Sequence, residues 1–228
     1  MLLTDASMKQ RLRLIVTACG LVLGLACMSG CQLAGWMAHG MAGGKSKQDV
    51  KGQYAGLPNK TIAVVVAADD YTLFRYANAP FMVCRAVSAR ISDEITGSRV
   101  VDPRQIIKFQ KDNPYWNTLL LSDLVTRLGV ERMVYIDLVT YETSEAGNRE
   151  VAQGKIVANV SVLEADAKTR GLDPDQFAFT AVVQSLYPEE HEYGVIDADM
   201  QTIELAVVSL FSRDTVRLFR DHTIETDK

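Results

Sequence analysis

The sequence predicts an α/β fold: a single domain with a mixed sheet in the order βαβ(αα)βββα and helices packed on it. Three patterns carry this. Thr61 to Ala67 is an unbroken β-branched and apolar run, the composition of a parallel strand covered on both faces. Between Pro80 and Gly97, the residues Cys84, Val87, Ser88, Ile91 and Ile95 recur at helical spacing. From Arg132 the period drops to two: Val134, Ile136 and Leu138 alternate with Tyr135, Asp137 and Val139, and Ile156, Ala158, Val160 and Val162 oppose Val157, Asn159 and Ser161.

The elements follow in order. After the first strand, Asp69 to Ala79 reads as a loop. Pro80 opens a helix and Gly97 closes it, because proline suits the first helical turn and glycine the left-handed residue beyond the last. Arg99 to Val101 is a short second strand. Asp102 then caps a helix that begins at Pro103 and has Ile106, Ile107 and Phe109 as apolar positions. Asn113-Pro114 breaks it, and a second helical stretch runs from about Tyr115 through Leu119, Leu120, Leu124 and Leu128 to Gly129. The alternating segments form a hairpin across the turn-rich residues 144–148. Thr169 to Asp175 is a further turn, Phe177 to Tyr187 a third meander strand, and Asp197 to Arg220 a closing helix. Ile203, Ala206, Val207, Leu210 and Phe211 share one face of that helix.

The first sixty residues have a different character. Lys9, Arg11 and Arg13 precede an apolar run from Leu14 to Ala26, the charge-then-hydrophobe order of a secretory signal. That run is shorter than the ~20 residues a spanning helix needs and contains Gly20 and Gly24. Met28-Ser29-Gly30-Cys31 resembles a bacterial lipobox, which implies cleavage after residue 30 and lipidation of Cys31. Cys27 is the rival acceptor, with Gly24 in the hydrophobe's place, and an uncleaved inner-membrane signal anchor is the alternative to cleavage. Two or three acyl chains hold a protein on a bilayer without spanning it. Gln32 stands where an Asp would signal inner-membrane retention, so the expected location is the periplasmic face of the outer membrane. Residues 31–59, where Gly35, Gly40, Gly43, Gly44, Gly52 and Gly56 alternate with Lys45, Ser46, Lys47 and Gln48, read as a lipidated flexible tether, residues 60–222 as the domain and residues 223–228 as a disordered tail. Gly44-Lys45-Ser46 ends like a phosphate-binding loop, but His39 replaces the required glycine.

Composition narrows the function. Without residues 1–30, basic residues fall from 24 to 21 and acidic ones from 28 to 27, and the net charge moves from −4 to −6. An acidic domain lacks the clustered positive field that nucleic-acid binding uses. Once Cys19 and Cys27 leave with the signal and Cys31 is lipidated, Cys84 is alone, so no intramolecular disulfide forms. About 200 residues suffice for a core without one.

Ile95-Thr96-Gly97, Leu128-Gly129-Val130 leading into Met133 to Asp137, Gly154 before Val157 to Val162, and Leu218-Phe219-Arg220-Asp221-His222 together look like a group of bacterial envelope lipoproteins. Their domain is similar to the amino-terminal domain of the Tol-system propeller protein, the curli secretion lipoprotein and the lipoprotein activators of penicillin-binding proteins. The resemblance covers roughly residues 61 to 222 and implies docking and assembly work in the envelope, without catalysis or cofactor. Pore formation is not carried over, because Glu142, Glu145, Arg149 and Glu150 crowd the hairpin turn where lipid-facing residues would be needed.

No nucleophile elbow, His-Glu-x-x-His helix or dinucleotide fingerprint is present, so no enzymatic activity, metal or cofactor is expected. Glu189, Glu190, His191, Glu192, Asp197 and Asp199 form the one acidic cluster that could serve a metal, a ligand or paired-carboxylate chemistry; a solvated loop with Asp197 or Asp199 as helix cap explains the same residues. Tyr71, Phe74, Tyr76, Tyr115 and Trp116 lie where the chain is least regular and are the candidates for binding an envelope protein partner, with packing over the ends of the domain's own sheet as the alternative. The expected role is a membrane-anchored binding or assembly module, its oligomeric state left open.

Overall fold

The computed structural model describes residues 46–143, 151–189, 195–196 and 199–226. The main compact unit spans Asp49–His222. Its centre is a five-stranded sheet in the order β3-β2-β4-β6-β7, formed by β2 (Thr61–Ala68), β3 (Arg99–Val100), β4 (Arg132–Glu142), β6 (Gly154–Glu164) and β7 (Phe179–Tyr187). β2 runs parallel to both β3 and β4, whereas β6 is antiparallel to β4 and to β7. The α/β class and mixed sheet match the reading from hydrophobic period.

The register explains the layers. Val64, Val134 and Val162 stand side by side, as do Val66, Ile136 and Val160, so one face is a continuous β-branched surface. Helices α2 (Ala79–Glu94) and α5 (Met200–Arg217) pack on this face and on each other. Val83, Cys84, Val87 and Ile91 from α2 and Ile203, Val207 and Phe211 from α5 are buried. Gly154 sits beneath α5 and lets it approach: a Cβ there would lie 2.7 Å from Val207 Cβ. On the opposite face, Tyr135 contacts Trp116 and Phe177, while Val139 and Val182 are 57% and 67% exposed. An antiparallel sheet can leave a face in water in this way.

Several boundaries differ from expectation for identifiable reasons. The segment 69–79 is not simply a loop: Asp69 accepts from Thr72 N at 2.7 Å and starts α1 (Asp70–Arg75). The helical stretch expected from Tyr115 to Gly129 is divided into a 3-10 turn (Trp116–Thr118) and α4 (Leu121–Leu128), because Leu119 and Leu120 are extended. Helix α3 (Pro103–Asp112) has the predicted Asp102 cap. The closing helix starts at Met200, capped by Asp199 and not Asp197.

The ordered domain also begins ahead of the expected boundary at residue 60. Gln53 and Tyr54 amides donate to Leu218 O, Gly52 N donates to Asp221 Oδ1, and Leu57 is fully buried. Gly52 and Gly56 gave this segment the composition of a tether, but Tyr54 and Leu57 have tertiary partners. At the ends of the described chain, β1 (Ser46–Val50) and β9 (His222–Thr226) form a two-stranded sheet, so residues 223–226 are strand and not disordered tail. Short strands β5 (Val151–Ala152) and β8 (Val195–Ile196) pair antiparallel. Among the described residues, no helix is long and apolar enough to cross a membrane.

Candidate functional site

β3 is only two residues long, so most of one edge of β2 lacks a strand partner. Ile62 O on that edge still receives Val101 N. Beyond it the carbonyls are satisfied by side chains: Cys84 Sγ donates to Val64 O at 3.1 Å, and Gln110 Nε2 donates to Val66 O at 2.9 Å. Helix α3 thereby takes the place of a longer edge strand, and the sheet opens into a crevice at the carboxyl end of β2.

This crevice has a volume of about 750 Å³. Ala67 and Ala68 form its floor, Leu73 of α1 and Phe81 of α2 one side, and Ile107 of α3 with Trp116 the other. In open α/β sheets such a position, outside the carboxyl ends of parallel strands, is the usual place for a ligand to bind. Of these lining residues only Trp116 was named from sequence as a binding candidate. Leu73, Phe81 and Ile107 come from three separate elements, and only the crossovers bring them together.

The five predicted aromatics divide into two groups. Tyr71, Phe74 and Tyr115 are 60%, 90% and 79% exposed. Tyr76 instead packs on Tyr141 with ring centroids 5.1 Å apart and accepts from Thr143 N at 3.3 Å. Trp116 packs on Tyr135, 6.3 Å between centroids. Arg75 organises the α1 end, donating to Tyr71 Oη at 3.0 Å with its guanidinium 5.8 Å from the Tyr71 ring and 5.7 Å from the Tyr76 ring. Phe74 has no such neighbour among the ring contacts and points its whole ring into solvent.

The acidic cluster is only partly described. Glu189 Oε1 accepts from Arg213 at 2.5 Å, and Asp199 Oδ2 accepts from Thr202 N at 3.3 Å as the α5 cap. Both have structural roles. Glu190, His191, Glu192 and Asp197 lie outside the described residues, as does the lipidation candidate Cys31. Among the described residues no group of three or more His, Cys, Asp or Glu could hold a metal ion.

Two buried groups carry perturbed ionisation. Burial pushes the Cys84 thiol up to about 12, against a smaller lowering from Ser88. It is therefore a protonated donor at neutral pH. Peptide-level mass spectrometry after maleimide treatment should find Cys84 unlabelled in the native protein and labelled only in denaturant; native labelling would contradict its burial. Burial also raises Tyr141, helped by the Glu204 carboxylate that accepts its hydroxyl at 2.7 Å. This bond ties β4 to α5.

No protein-family model and no curated protein matches this sequence. Among solved structures, the fold is similar to PelC from Paraburkholderia phytofirmans, a dodecamer (4% identity, TM-score 0.44, covering 78% of this chain and 99% of that one). It is similar also to the lipoprotein GNA1162 from Neisseria meningitidis (14% identity, TM-score 0.41, covering 67% of this chain and 98% of that one). Protein XCC0632 from Xanthomonas campestris is a third (11% identity, TM-score 0.41, covering 74% of this chain and 87% of that one). At such identities and scores the likeness says nothing about what this chain does.

Proposed function

We propose that this chain is a lipid-anchored protein of the cell envelope, held through Cys31 on the periplasmic face of the outer membrane, whose domain captures a protein partner at the crevice beyond β2 and performs no catalysis. The observation that carries the reading is Phe74, 90% exposed on α1, the short helix that also supplies Asp70 and Leu73 to the crevice. A phenyl ring in water loses about 25 cal/mol for each Å² left uncovered, and α1 has only Thr72 in the core to justify its presence. Tyr71 on the same helix and Tyr115 next to Trp116 in the chain are exposed aromatics of the kind that anchors interfaces.

The test is crosslinking in intact cells followed by recovery through the full-length protein, comparing wild type with Tyr71→Ala/Phe74→Ala and with Cys31→Ser. Loss of two aromatic anchors should weaken partner capture by roughly 30-fold or more, the equivalent of about 2 kcal/mol. Stability should change by no more than ~0.5 kcal/mol, since both rings are exposed. Unchanged capture by the double variant would place the interface elsewhere. Unchanged function of the soluble Cys31→Ser form would remove the anchor from the role.

A further inference from the structure

Helix α3 forms one wall of the crevice, and three of its residues that line it are basic: Arg104, Lys108 and Lys111. The spacing of four and then three residues puts all three on one helical face. At 1.5 Å per residue they span about 10 Å along the axis. Only Lys108 has a carboxylate partner among the described residues, Asp112 Oδ2 at 2.5 Å. Arg104 and Lys111 have no ion pair there, and the opposite wall supplies one acid, Asp70. The crevice is therefore a basic strip over an apolar floor, on a chain whose net charge is −4.

Resting on the partner-capture reading above, we infer that the crevice takes an acidic polypeptide segment, one that sets carboxylates against Arg104 and Lys111 and an apolar side chain against Leu73, Phe81 and Ile107. An extended chain advances about 3.3 Å per residue, so ~10 Å corresponds to three residue steps and places two acids of an alternating sequence along the strip. The two cations complement that charge, and the apolar floor between the walls receives the intervening side chains. A bilayer surface is too flat to follow a floor recessed among residues of α1, α2, α3 and the 3-10 turn. A polypeptide strand can enter.

The probe is a short fluorescent peptide alternating glutamate and leucine, with a counterpart carrying lysine for every glutamate, titrated into the full-length protein in detergent micelles. The acidic peptide should bind, weaken with added salt and lose about tenfold in affinity to Arg104→Gln/Lys111→Gln, whose melting temperature stays that of wild type because both side chains are exposed. The lysine peptide should not bind. Equal affinity for wild type and variant, or no binding of the acidic peptide, would overturn the inference. So would a dimer that disappears in the variant, which would assign the strip to a second copy of the chain. Charge-dependent binding to phosphatidylglycerol vesicles in place of the peptide would overturn it in favour of lipid. If cellular partner capture survives Arg104→Gln/Lys111→Gln yet is lost in Tyr71→Ala/Phe74→Ala, the acidic chemistry fails while the partner reading stands.

Discussion

Replacing Arg132 with methionine is expected to destabilise the domain by about 3–5 kcal/mol, measured by urea unfolding with an unchanged m-value. Arg132 opens β4 and is only 6% exposed, as is Glu164 at the end of β6 opposite it. Its guanidinium donates to Gly56 O at 3.2 Å and to Asp166 Oδ1 at 2.8 Å, with Nε 3.6 Å from Glu164 Oε1. Glu164 in turn accepts from Tyr54 Oη at 2.5 Å and pairs with Arg170. Removing the arginine leaves a buried carboxylate with fewer partners and Gly56 O without this donor. The larger part of the loss is the desolvation of what remains, not the net value of the pair. The double variant Arg132→Met/Glu164→Gln should accordingly lose much less than the sum of its single changes. Additive losses, or a loss below 1 kcal/mol for Arg132→Met, would show that water solvates this cluster.

Leu57→Ala is expected to cost about 2–5 kcal/mol in the same measurement, through lost burial and the cavity left behind. The side chain is fully buried, in a segment whose composition reads as tether. A true tether would give a change within ~0.5 kcal/mol. The experiment thus distinguishes a domain that starts near Asp49 from one that starts at Thr61. Because Gly56 O receives Arg132 one residue before Leu57, the two substitutions test one attachment from both sides. Their effects should couple rather than add.

Periodicity made most of the fold legible. A core strand such as Thr61–Ala68 and a helix such as Ala79–Glu94 announce themselves because neighbours two or three to four residues apart share a face. The candidate site was legible only in part. Tyr71 and Phe74, named from sequence as binding candidates, are exposed, although on a short helix and not in a loop. Tyr76 and Trp116 have the same composition signal and a different environment, since Tyr141 and Tyr135 lie beside them. No local rule separates an exposed ring from one already covered by its own sheet.

By itself the sequence determined the α/β class, the alternating hairpin and the cap Asp102. Each depends on residues close together in the chain. Only the tertiary structure decided that α4, which has no cap of its own, receives Asp175 Oδ1 at Ser122 N, 2.9 Å away and 53 residues along. It also decided that Cys84 and Gln110 complete an edge that β3 is too short to pair, and that residues 52–57 belong to the domain. The crevice and its basic wall arise at the same level. A hydrogen bond or a shared cavity between distant residues depends on how strands and crossovers are arranged in space, and local period carries no record of that arrangement.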